Sequence, residues 1–397
     1  MAADAVVVGG GLIGLASAWR AARAGCTVTL VDPAPGSGAS NVAAGMLAPV
    51  TEVAYGEEAA LRLNIASARR WPGFVDDLEA ASQLEVDYHA DGTLLVGFDA
   101  DDMRVLDELT AFQVELGLEV QRLRSRGCRE REPLLSPRVR GGLLAAEDHR
   151  VDPRRVVAAL SRALSIAGVE VVTDRAAAVE QARGRVTGVR LADGRTLSAP
   201  RVVLAAGSWS AGIEGLPPAV VPAVRPVKGQ VLVLRGGADE PALTASLRGL
   251  VQGRSIYLVP RSDGRVVVGA SQEERGFDTT VTAGATRELL DDAVRLVPGV
   301  DELELVEAIA GLRPATPDNR PLLGPTELDG LVLATGHHRS GVLLTPLTAD
   351  SVAAWLTDTD PDPVVAAADP CRGSLHGPAA TRGPDREHVG RTRETVQ

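Results

Sequence analysis

Short apolar runs and one longer helical stretch alternate at the start of the chain. Residues 5–8 are all apolar, and residues 27–31 form a second, mostly apolar run. Between them, residues 15–24 have the composition of a helix, which Gly25 ends. Short apolar runs of this kind indicate strands buried on both faces. The pattern therefore predicts a strand-helix-strand unit of a parallel sheet.

A glycine-rich turn separates the first run from the helix, with the spacing Gly9, Gly11 and Gly14. Gly9 permits a tight turn, Gly11 lets a pyrophosphate approach the backbone, and Gly14 lets the helix pack close to the strand. Asp32 ends the second run, where its carboxylate can accept hydrogen bonds from ribose hydroxyls. Together these residues predict a site for an adenine dinucleotide, and they leave open whether it is FAD or NAD.

Segments with helical spacing of apolar residues and short strand-like apolar runs continue to alternate along the chain. Asp152 and Pro153 have the character of a helix N-cap and first helical position. Helical spacing covers residues 57–80, 101–116, 151–167, 286–296 and 342–356. Strand-like runs cover residues 169–173, 201–206, 229–234, 256–260, 265–269 and 331–334. Asp-Gly turns predict two hairpins, across residues 87–98 and 186–198.

The nucleotide-domain strands are scattered, which predicts an α/β fold with a Rossmann-like domain and an inserted α+β domain built on an antiparallel sheet. We assign residues 1–85, 145–220 and 310–358 to the discontinuous nucleotide domain, and residues 86–144 and 221–309 to the substrate-binding domain. By analogy of fold, such interruption is more typical of FAD oxidases than of nicotinamide dehydrogenases. Residues 359–397, rich in Pro, Gly, Ala and Arg, are expected to be a disordered tail.

Charge and composition narrow the class of protein. The net charge of −11 argues against binding to nucleic acid and to anionic membrane surfaces. No apolar stretch approaches the roughly 20 residues of a membrane span. Neither the three cysteines nor the six histidines have metal-like spacing, so no metal site is expected. The unpaired cysteines and the lack of a basic leader region favour the cytoplasm.

Several further segments, together with Gly9–Gly14 and Asp32, resemble glycine oxidase, a member of the D-amino-acid oxidase and sarcosine oxidase group of FAD-dependent flavoproteins. The resemblance covers residues 5 to about 357. The segments are Ala43-Ala44-Gly45-Met46, Arg225-Pro226-Val227-Lys228-Gly229-Gln230, Ile256-Tyr257-Leu258-Val259-Pro260-Arg261, Ala310-Gly311-Leu312-Arg313-Pro314 and Thr335-Gly336-His337-His338-Arg339-Ser340-Gly341.

The resemblance implies oxidation of the carbon–nitrogen bond of glycine or a related small amine. Dioxygen would reoxidise the flavin and give hydrogen peroxide. The imine would hydrolyse to glyoxylate and ammonia, or be handed to a thiazole synthase for thiamine assembly. FAD is expected to be non-covalent, because residues 315–318 lack the cysteine that often holds the flavin of sarcosine oxidases. Ser255 stands where some glycine oxidases have histidine.

The resemblance also assigns roles to four side chains. Arg313 would hold the substrate carboxylate, for which a guanidinium fork is well suited. Tyr257 would donate a second hydrogen bond to that carboxylate, and Arg339 would lie near the substrate and the flavin. Met46 would cover the flavin or line the pocket. Each also has a structural interpretation: an ion pair for Arg313, capping of the strand loop for Arg339, and core packing for Tyr257 and Met46.

The expected cofactor site combines the glycine turn with three later segments. The resemblance implies that the substrate reacts as its free amine, by hydride transfer from Cα to the flavin without a protein base, so His337 and His338 are not expected to act as bases. The expected cofactor-binding residues are Gly9, Gly11, Leu12, Ile13, Gly14, Asp32, Pro33, Ala39, Ser40, Ala44, Gly45, Met46, Gly207, His337, His338, Arg339, Ser340, Gly341, Val342 and Leu343.

Three other functions compete with this interpretation. One is a D-amino-acid or sarcosine dehydrogenase that uses an acceptor other than oxygen. A second is a nicotinamide-dependent dehydrogenase, which the late segment 335–356 disfavours. A third is a non-catalytic FAD-binding protein, which the presence of Arg313 and Tyr257 disfavours. The preferred amine and the oligomeric state stay open.

Overall fold

The computed structural model describes residues 3–237 and 243–372. The described strands, in chain order β1 to β19, are Ala5–Val8, Val28–Val31, Met46–Leu47, Thr93–Gly97, Gln121–Arg124, Gly141–Ala145, His149–Arg150, Glu170–Val172, Ala176–Ala182, Arg185–Leu191, Thr196–Ser198, Val202–Leu204, Arg225–Arg235, Ser246–Val251, Arg254–Pro260, Arg265–Gly269, Glu304–Ala315, Leu322–Pro325 and Leu331–Thr335. The described α-helices, α1 to α9, are Leu12–Arg23, Ala39–Val42, Glu58–Ala68, Trp71–Ser82, Ala100–Glu115, Ser125–Arg131, Pro153–Ile166, Ala283–Leu296 and Thr345–Leu356.

A six-stranded sheet forms the centre of one half of the molecule, in the order β18-β19-β12-β1-β2-β8. All neighbouring strands in it are parallel except β18 and β19. Successive residues of β1 enter opposite cores: Ala5 and Val7 pack with the helices, and Val6 and Val8 pack on the other face. Burial on both faces explains why this strand is apolar throughout.

The helix layer on this sheet is formed mainly by α1, α4, α7 and α9. The opposite face is covered by the three-stranded antiparallel sheet β11-β10-β9. Helix α1 starts directly after Gly11, so its N-terminus lies at the end of β1. Asp152 caps α7 by accepting from the backbone N–H groups of Arg154 and Arg155, as the sequence predicts.

The second large sheet has eight strands, in the order β17-β13-β16-β15-β14-β4-β6-β5. Neighbours are antiparallel except β14 and β4, which run parallel. One face packs against α8 around a core that includes Leu232, Leu258 and Leu296. The other face contributes Val231, Val259 and Tyr257 to a small cluster with Val42 and Met46. The fold is thus a Rossmann-like layer joined to an antiparallel α+β layer, which confirms the predicted fold class.

Three predicted elements differ from the structure. The hairpin expected across residues 87–98 is wrong: β4 pairs with β6 and β14, and residues 87–90 form one isolated bridge between His89 and Arg150. The helical pattern over residues 57–80 is divided between α3 and α4, because the helix is interrupted at residues 69–70 and α4 begins at Trp71, with Pro72 in its first turn. The last helix begins at Thr345 rather than Val342, after a 3-10 turn at His338–Ser340.

The expectation of a disordered tail is wrong for residues 359–372. A 3-10 helix at Pro363–Ala368 buries Val365 and Ala368 in the core that contains α1 and α9. The Arg372 guanidinium then pairs with the Asp318 carboxylate at 2.9 Å. Residues 373–397 lie outside the described residues. Among the helices that the structure describes, none is both long and apolar enough to cross a membrane.

Gly14 sets the distance between α1 and β1. A β-carbon on Gly14 would lie closer than 3.0 Å to the carbonyl oxygen of Gly9, and neither backbone segment can yield cheaply. By contrast, a β-carbon on Gly73, in α4, would meet no atom within 4 Å.

We therefore expect opposite effects from the same substitution at these two positions. Gly14→Ala should lower stability and FAD content, whereas Gly73→Ala should stabilise the protein by up to about 1 kcal/mol through helix propensity. Urea unfolding and flavin absorbance per protein measure both effects. Equal stability of the Gly14→Ala variant and the wild type would contradict the proposed close packing.

Candidate active site

A cavity of about 960 Å³ lies between the two large sheets. Its walls include the carboxyl ends of β1, β2, β12 and β19, and side chains of β13, β15 and β17 from the second sheet. Crevices at the carboxyl ends of parallel strands are the usual ligand sites of such sheets. The volume is near the upper end of the roughly 300–1,000 Å³ typical of small-molecule sites.

The glycine turn forms one end of this cavity. The Asp32 carboxylate accepts hydrogen bonds from the backbone N–H groups of Gly10 at 2.6 Å and Ala34 at 2.7 Å. The Ser40 hydroxyl accepts from the N–H of Leu12 at 3.0 Å. These contacts fix the turn, and the carboxylate keeps lone pairs for a ribose. The N-terminus of α1 faces the same space, where its dipole favours phosphate.

Most of the predicted cofactor-binding residues meet in this one cavity. Those that line it are Gly9, Gly11, Leu12, Ile13, Asp32, Pro33, Ala39, Ser40, Ala44, Gly45, Met46, Gly207, His337, His338, Arg339, Gly341 and Val342. Gly14, Ser340 and Leu343 are not among the lining residues. Gly14 instead spaces α1 from β1, and Leu343 is buried in the helix-side core.

The segment with Ala44 and Met46 is held from two sides. Strand β3 pairs with β7, and the N–H of Val151 donates to the carbonyl of Gly45 at 2.9 Å. The Arg261 guanidinium donates to the carbonyl of Ala44 at 2.6 Å and lies 3.7 Å from the Asp152 carboxylate. Burial lowers the pKa of Arg261 to about 10, so the side chain stays charged. Arg261 thus links the two halves of the molecule beside the cavity.

Arg313 and Tyr257 extend over neighbouring glycines at the other end of the cavity. A β-carbon on Gly229 would lie closer than 3.0 Å to the Arg313 guanidinium, and one on Gly269 would overlap the Tyr257 phenol in the same way. Gly269 is the cross-strand partner of Tyr257, and Gly229 lies on the strand next to Arg313. The two glycines therefore provide the space in which both side chains lie flat against the sheet.

The guanidinium of Arg313 donates to the carbonyl oxygen of Ser271 at 3.2 Å. Within the described part of the chain, no carboxylate lies within 4 Å of it to form an ion pair. Burial raises the pKa of the Tyr257 phenol, although the nearby charge of Arg313 acts in the opposite direction. The phenol is therefore neutral and can donate. Together the two side chains offer a guanidinium fork and a hydroxyl to a small carboxylate.

Arg339 lines the cavity, but its guanidinium is paired with the Glu57 carboxylate and also donates to the carbonyl of Glu52 at 3.4 Å. The Glu57 carboxylate also accepts from the side-chain amide of Asn319 at 2.8 Å. The structural interpretation of Arg339, as the anchor of a loop, thus has direct support. Its charge is largely compensated, so it is a weaker candidate for carboxylate binding than Arg313.

His337 and His338 are uncharged at neutral pH. Burial lowers the pKa of His337 to about 3, and its ring bonds the Thr348 hydroxyl at 3.0 Å. Burial, followed by the charges of Arg339 and Arg313, lowers the pKa of His338 to about 4. The Nδ1 atom of His338 is buried and has no hydrogen-bond partner, which leaves it available to a ligand in the cavity.

Sequence reasoning missed other residues of the cavity. Glu52 lines it and pairs with Arg248 of β14 at 2.5 Å, while Trp209 and Phe277 lie at its exposed rim with ring centroids 5.8 Å apart. Glu52 follows the Met46 segment closely, which is the one sequence signal that could have indicated it. Across the described residues, no group of three His, Cys, Asp or Glu side chains is arranged to hold a metal ion.

Fold and cavity together are those of a dinucleotide-dependent oxidoreductase, with the glycine turn at one end of the cavity and the Arg313 guanidinium and Tyr257 phenol at the other. A family model, DAO, described as FAD dependent oxidoreductase, matches residues 4–355. The chain therefore belongs to this family, and its cofactor is FAD. The resemblance to glycine oxidase stated from the motifs is confirmed.

Curated relatives and solved structures agree with this assignment. The chain is 35% identical over 377 residues to the "Bifunctional protein ThiO/ThiG" of Synechocystis sp., covering 93% of this chain and 54% of that protein. It thus spans about half the length of the bifunctional relatives. It is 32% identical to the glycine oxidase of Pseudomonas putida, covering 91% and 96% of the two chains. The crystal structure of glycine oxidase from Geobacillus kaustophilus superposes with a TM-score of 0.85 at 29% identity, covering 92% and 98%.

The low pKa of His337 predicts that the free energy of unfolding falls at acid pH. The unfolded chain takes up a proton below about pH 6.5, whereas the folded protein does so only near pH 3. The resulting contribution to stability is complete above about pH 6.5 and declines as the pH falls. In His337→Gln the loss of unfolding free energy between about pH 7.5 and about pH 5 should be smaller than in the wild type by about 2 kcal/mol.

Chemical denaturation at both pH values measures this difference. Thr348→Val is the matched control: it removes the hydrogen-bond partner but no titrating group, so its destabilisation should be similar at both pH values. Identical acid sensitivity of His337→Gln and the wild type would refute the account.

Proposed function

We propose that this protein is a glycine-oxidising flavoenzyme, which oxidises the Cα–N bond of glycine or a similarly small amine to an imine and passes the electrons to dioxygen. The observation that carries the proposal is the Arg313 guanidinium, unpaired with any carboxylate in the described residues and adjacent to the neutral Tyr257 phenol. The relatives named glycine oxidase support the choice of substrate.

The residues of the cavity fit FAD. Gly11 lines the cavity without a side chain, so a pyrophosphate could approach its backbone, and a β-carbon on Gly207 would meet no protein atom within 4 Å, which leaves room for a ligand there. His338 contributes a buried Nδ1 atom without a partner. Asp32 would hold the ribose, and Met46 with residues 336–342 would border the ring system. Bound FAD supplies the acceptor for the hydride of the substrate.

The protein itself supplies positioning and charge. Arg313 would bind the carboxylate of the substrate with two parallel hydrogen bonds, and Tyr257 would donate a third. Holding the substrate at a fixed distance and angle turns the reaction into an effectively unimolecular step. Arg339 would act mainly by anchoring residues 52–57 over the cavity through Glu57. Apolar walls from Met46 and Val231 would limit the access of water.

The same proposal assigns FAD binding and substrate binding to different halves of the molecule. The halves that contain the six-stranded and eight-stranded sheets would be the FAD-binding and substrate-binding domains. Their boundaries would be close to those expected from the sequence, except that residues 310–315 of β17 belong to the eight-stranded sheet. The bifunctional relatives favour delivery of the imine to a thiazole synthase. Three free cysteines are consistent with a reducing cytoplasm.

Anaerobic mixing tests the function. We expect a yellow protein whose oxidised-flavin absorbance bleaches with glycine, and more slowly or not at all with the bulkier sarcosine and D-alanine. Readmitted air should restore the colour with one hydrogen peroxide per flavin. A protein that no small amine bleaches would contradict the proposal. Bleaching that air does not reverse, but a quinone does, would assign a dehydrogenase instead.

A further inference from the structure

Lys228 and Gln230, which flank Gly229 on β13 in a motif singled out in the sequence, have no role in the site described so far. Alternate residues of a strand point to opposite faces. Gly229 faces the cavity beneath the Arg313 guanidinium, whereas Lys228 and Gln230 point to the other face, each with 1% of its surface exposed. Lys228 is also the single lysine of the sequence, which contains forty arginines. A buried, unusual cation directly behind the site calls for a physical explanation.

The two buried side chains converge on the loop that follows β16. The Lys228 ammonium lies 3.4 Å from the Glu273 carboxylate and 3.7 Å from that of Asp278. The Gln230 side chain donates to the same Glu273 carboxylate at 2.6 Å and accepts from the N–H of Thr282 at 2.8 Å. A compact ammonium suits this enclosed space between two carboxylates better than a planar guanidinium does.

Glu273 connects the Lys228 and Gln230 side chains to Ser271. The Ser271 hydroxyl donates to the Glu273 carboxylate at 2.6 Å and accepts from the N–H of Gln230 at 2.9 Å. Burial raises the pKa of Glu273, but the hydrogen bonds of Ser271 and Gln230 and the charge of Lys228 outweigh it and hold that pKa below its usual value. Glu273 is thus an anion at neutral pH, with three donors fixed around it.

The network ends at the substrate side of the sheet. The carbonyl of Ser271 accepts a hydrogen bond of the Arg313 guanidinium at 3.2 Å, and together with the contact to the Tyr257 phenol it holds the direction of the fork. We propose that Lys228, Gln230 and Glu273 are positioning residues, which act through Ser271 to aim Arg313 at the substrate carboxylate. This inference rests on the proposed role of Arg313 in carboxylate binding.

A carboxylate without an amine separates positioning from turnover. Acetate binding is measured on the holoenzyme through the change in the flavin spectrum, and the Michaelis constant and turnover number for glycine are measured on the same samples. In Glu273→Gln we expect acetate affinity to fall and the Michaelis constant to rise, each roughly tenfold. The turnover number should change less than about twofold and the FAD content should be unchanged, because uniform binding alone is affected.

Glu274→Gln is the matched control. Glu274 is the next residue of the loop, but its carboxylate pairs at the surface with Arg225 and takes no part in the network. This variant should bind acetate like the wild type. If Glu273→Gln does not fold, Ser271→Ala removes one hydroxyl from the same network and should shift affinity in the same direction.

The outcomes distinguish the two levels of the proposal. A wild type that binds neither acetate nor glycine would refute the role of Arg313 itself. A wild type that binds acetate, together with Glu273→Gln and Ser271→Ala variants of unchanged affinity, would refute the positioning network alone. A fall in turnover number with an unchanged Michaelis constant would also overturn it.

Discussion

Backbone segments around the cavity approach their neighbours more closely than a β-carbon would permit, and the arrangement of the site depends on this constraint. At Gly9 and Gly14 the close neighbour is backbone, which brings β1, α1 and the residue after β12 together around the dinucleotide turn. At Gly229 and Gly269 the neighbour is a side chain at the other end of the cavity, the Arg313 guanidinium or the Tyr257 phenol. Glycines therefore shape both ends of the cavity, but by different means.

The charges of the cavity are arranged so that one guanidinium is available to a carboxylate. Arg339 is compensated by Glu57, and Arg248 by Glu52. Arg313 instead contacts a neutral carbonyl and a neutral phenol. An arginine without a carboxylate partner in a partly enclosed space attracts a planar anion strongly, because little other solvation competes. This contrast separates the proposed binding residue from arginines that stabilise loops.

Local signals in the sequence were sufficient where a motif determines its own geometry. The glycine turn with α1, the Asp152 cap and the hairpin of β10 and β11 depend on residues close together in the chain, and each was predicted. The wrong hairpin arose where the partner strand is distant. Strand β4 pairs with β14, far along the chain, rather than with residues 87–90, which no local turn signal reveals.

The site shows the same contrast between features that nearby residues determine and features that distant residues determine. The motifs indicated most of the residues that line the cavity, because a family resemblance carries three-dimensional information that periodicity lacks. The pairing of Arg339 with Glu57, and the network behind Arg313, depend on loops that only the complete fold brings together. The prediction for the tail relied too much on composition. A low content of apolar residues was expected to mean disorder, yet Val365 and Ala368 are buried in the core and anchor residues 363–368.

The central claim is that Arg313 binds the substrate carboxylate while its guanidinium lies against Gly229. Gly229→Ala tests it directly, because the new methyl group meets the flexible end of Arg313 and should displace it without disturbing the strand. We expect the Michaelis constant for glycine to rise at least roughly tenfold in Gly229→Ala and in Arg313→Gln, with little further increase in the double variant, since both act through one guanidinium. Unchanged constants, or fully additive effects of the two substitutions, would contradict the account.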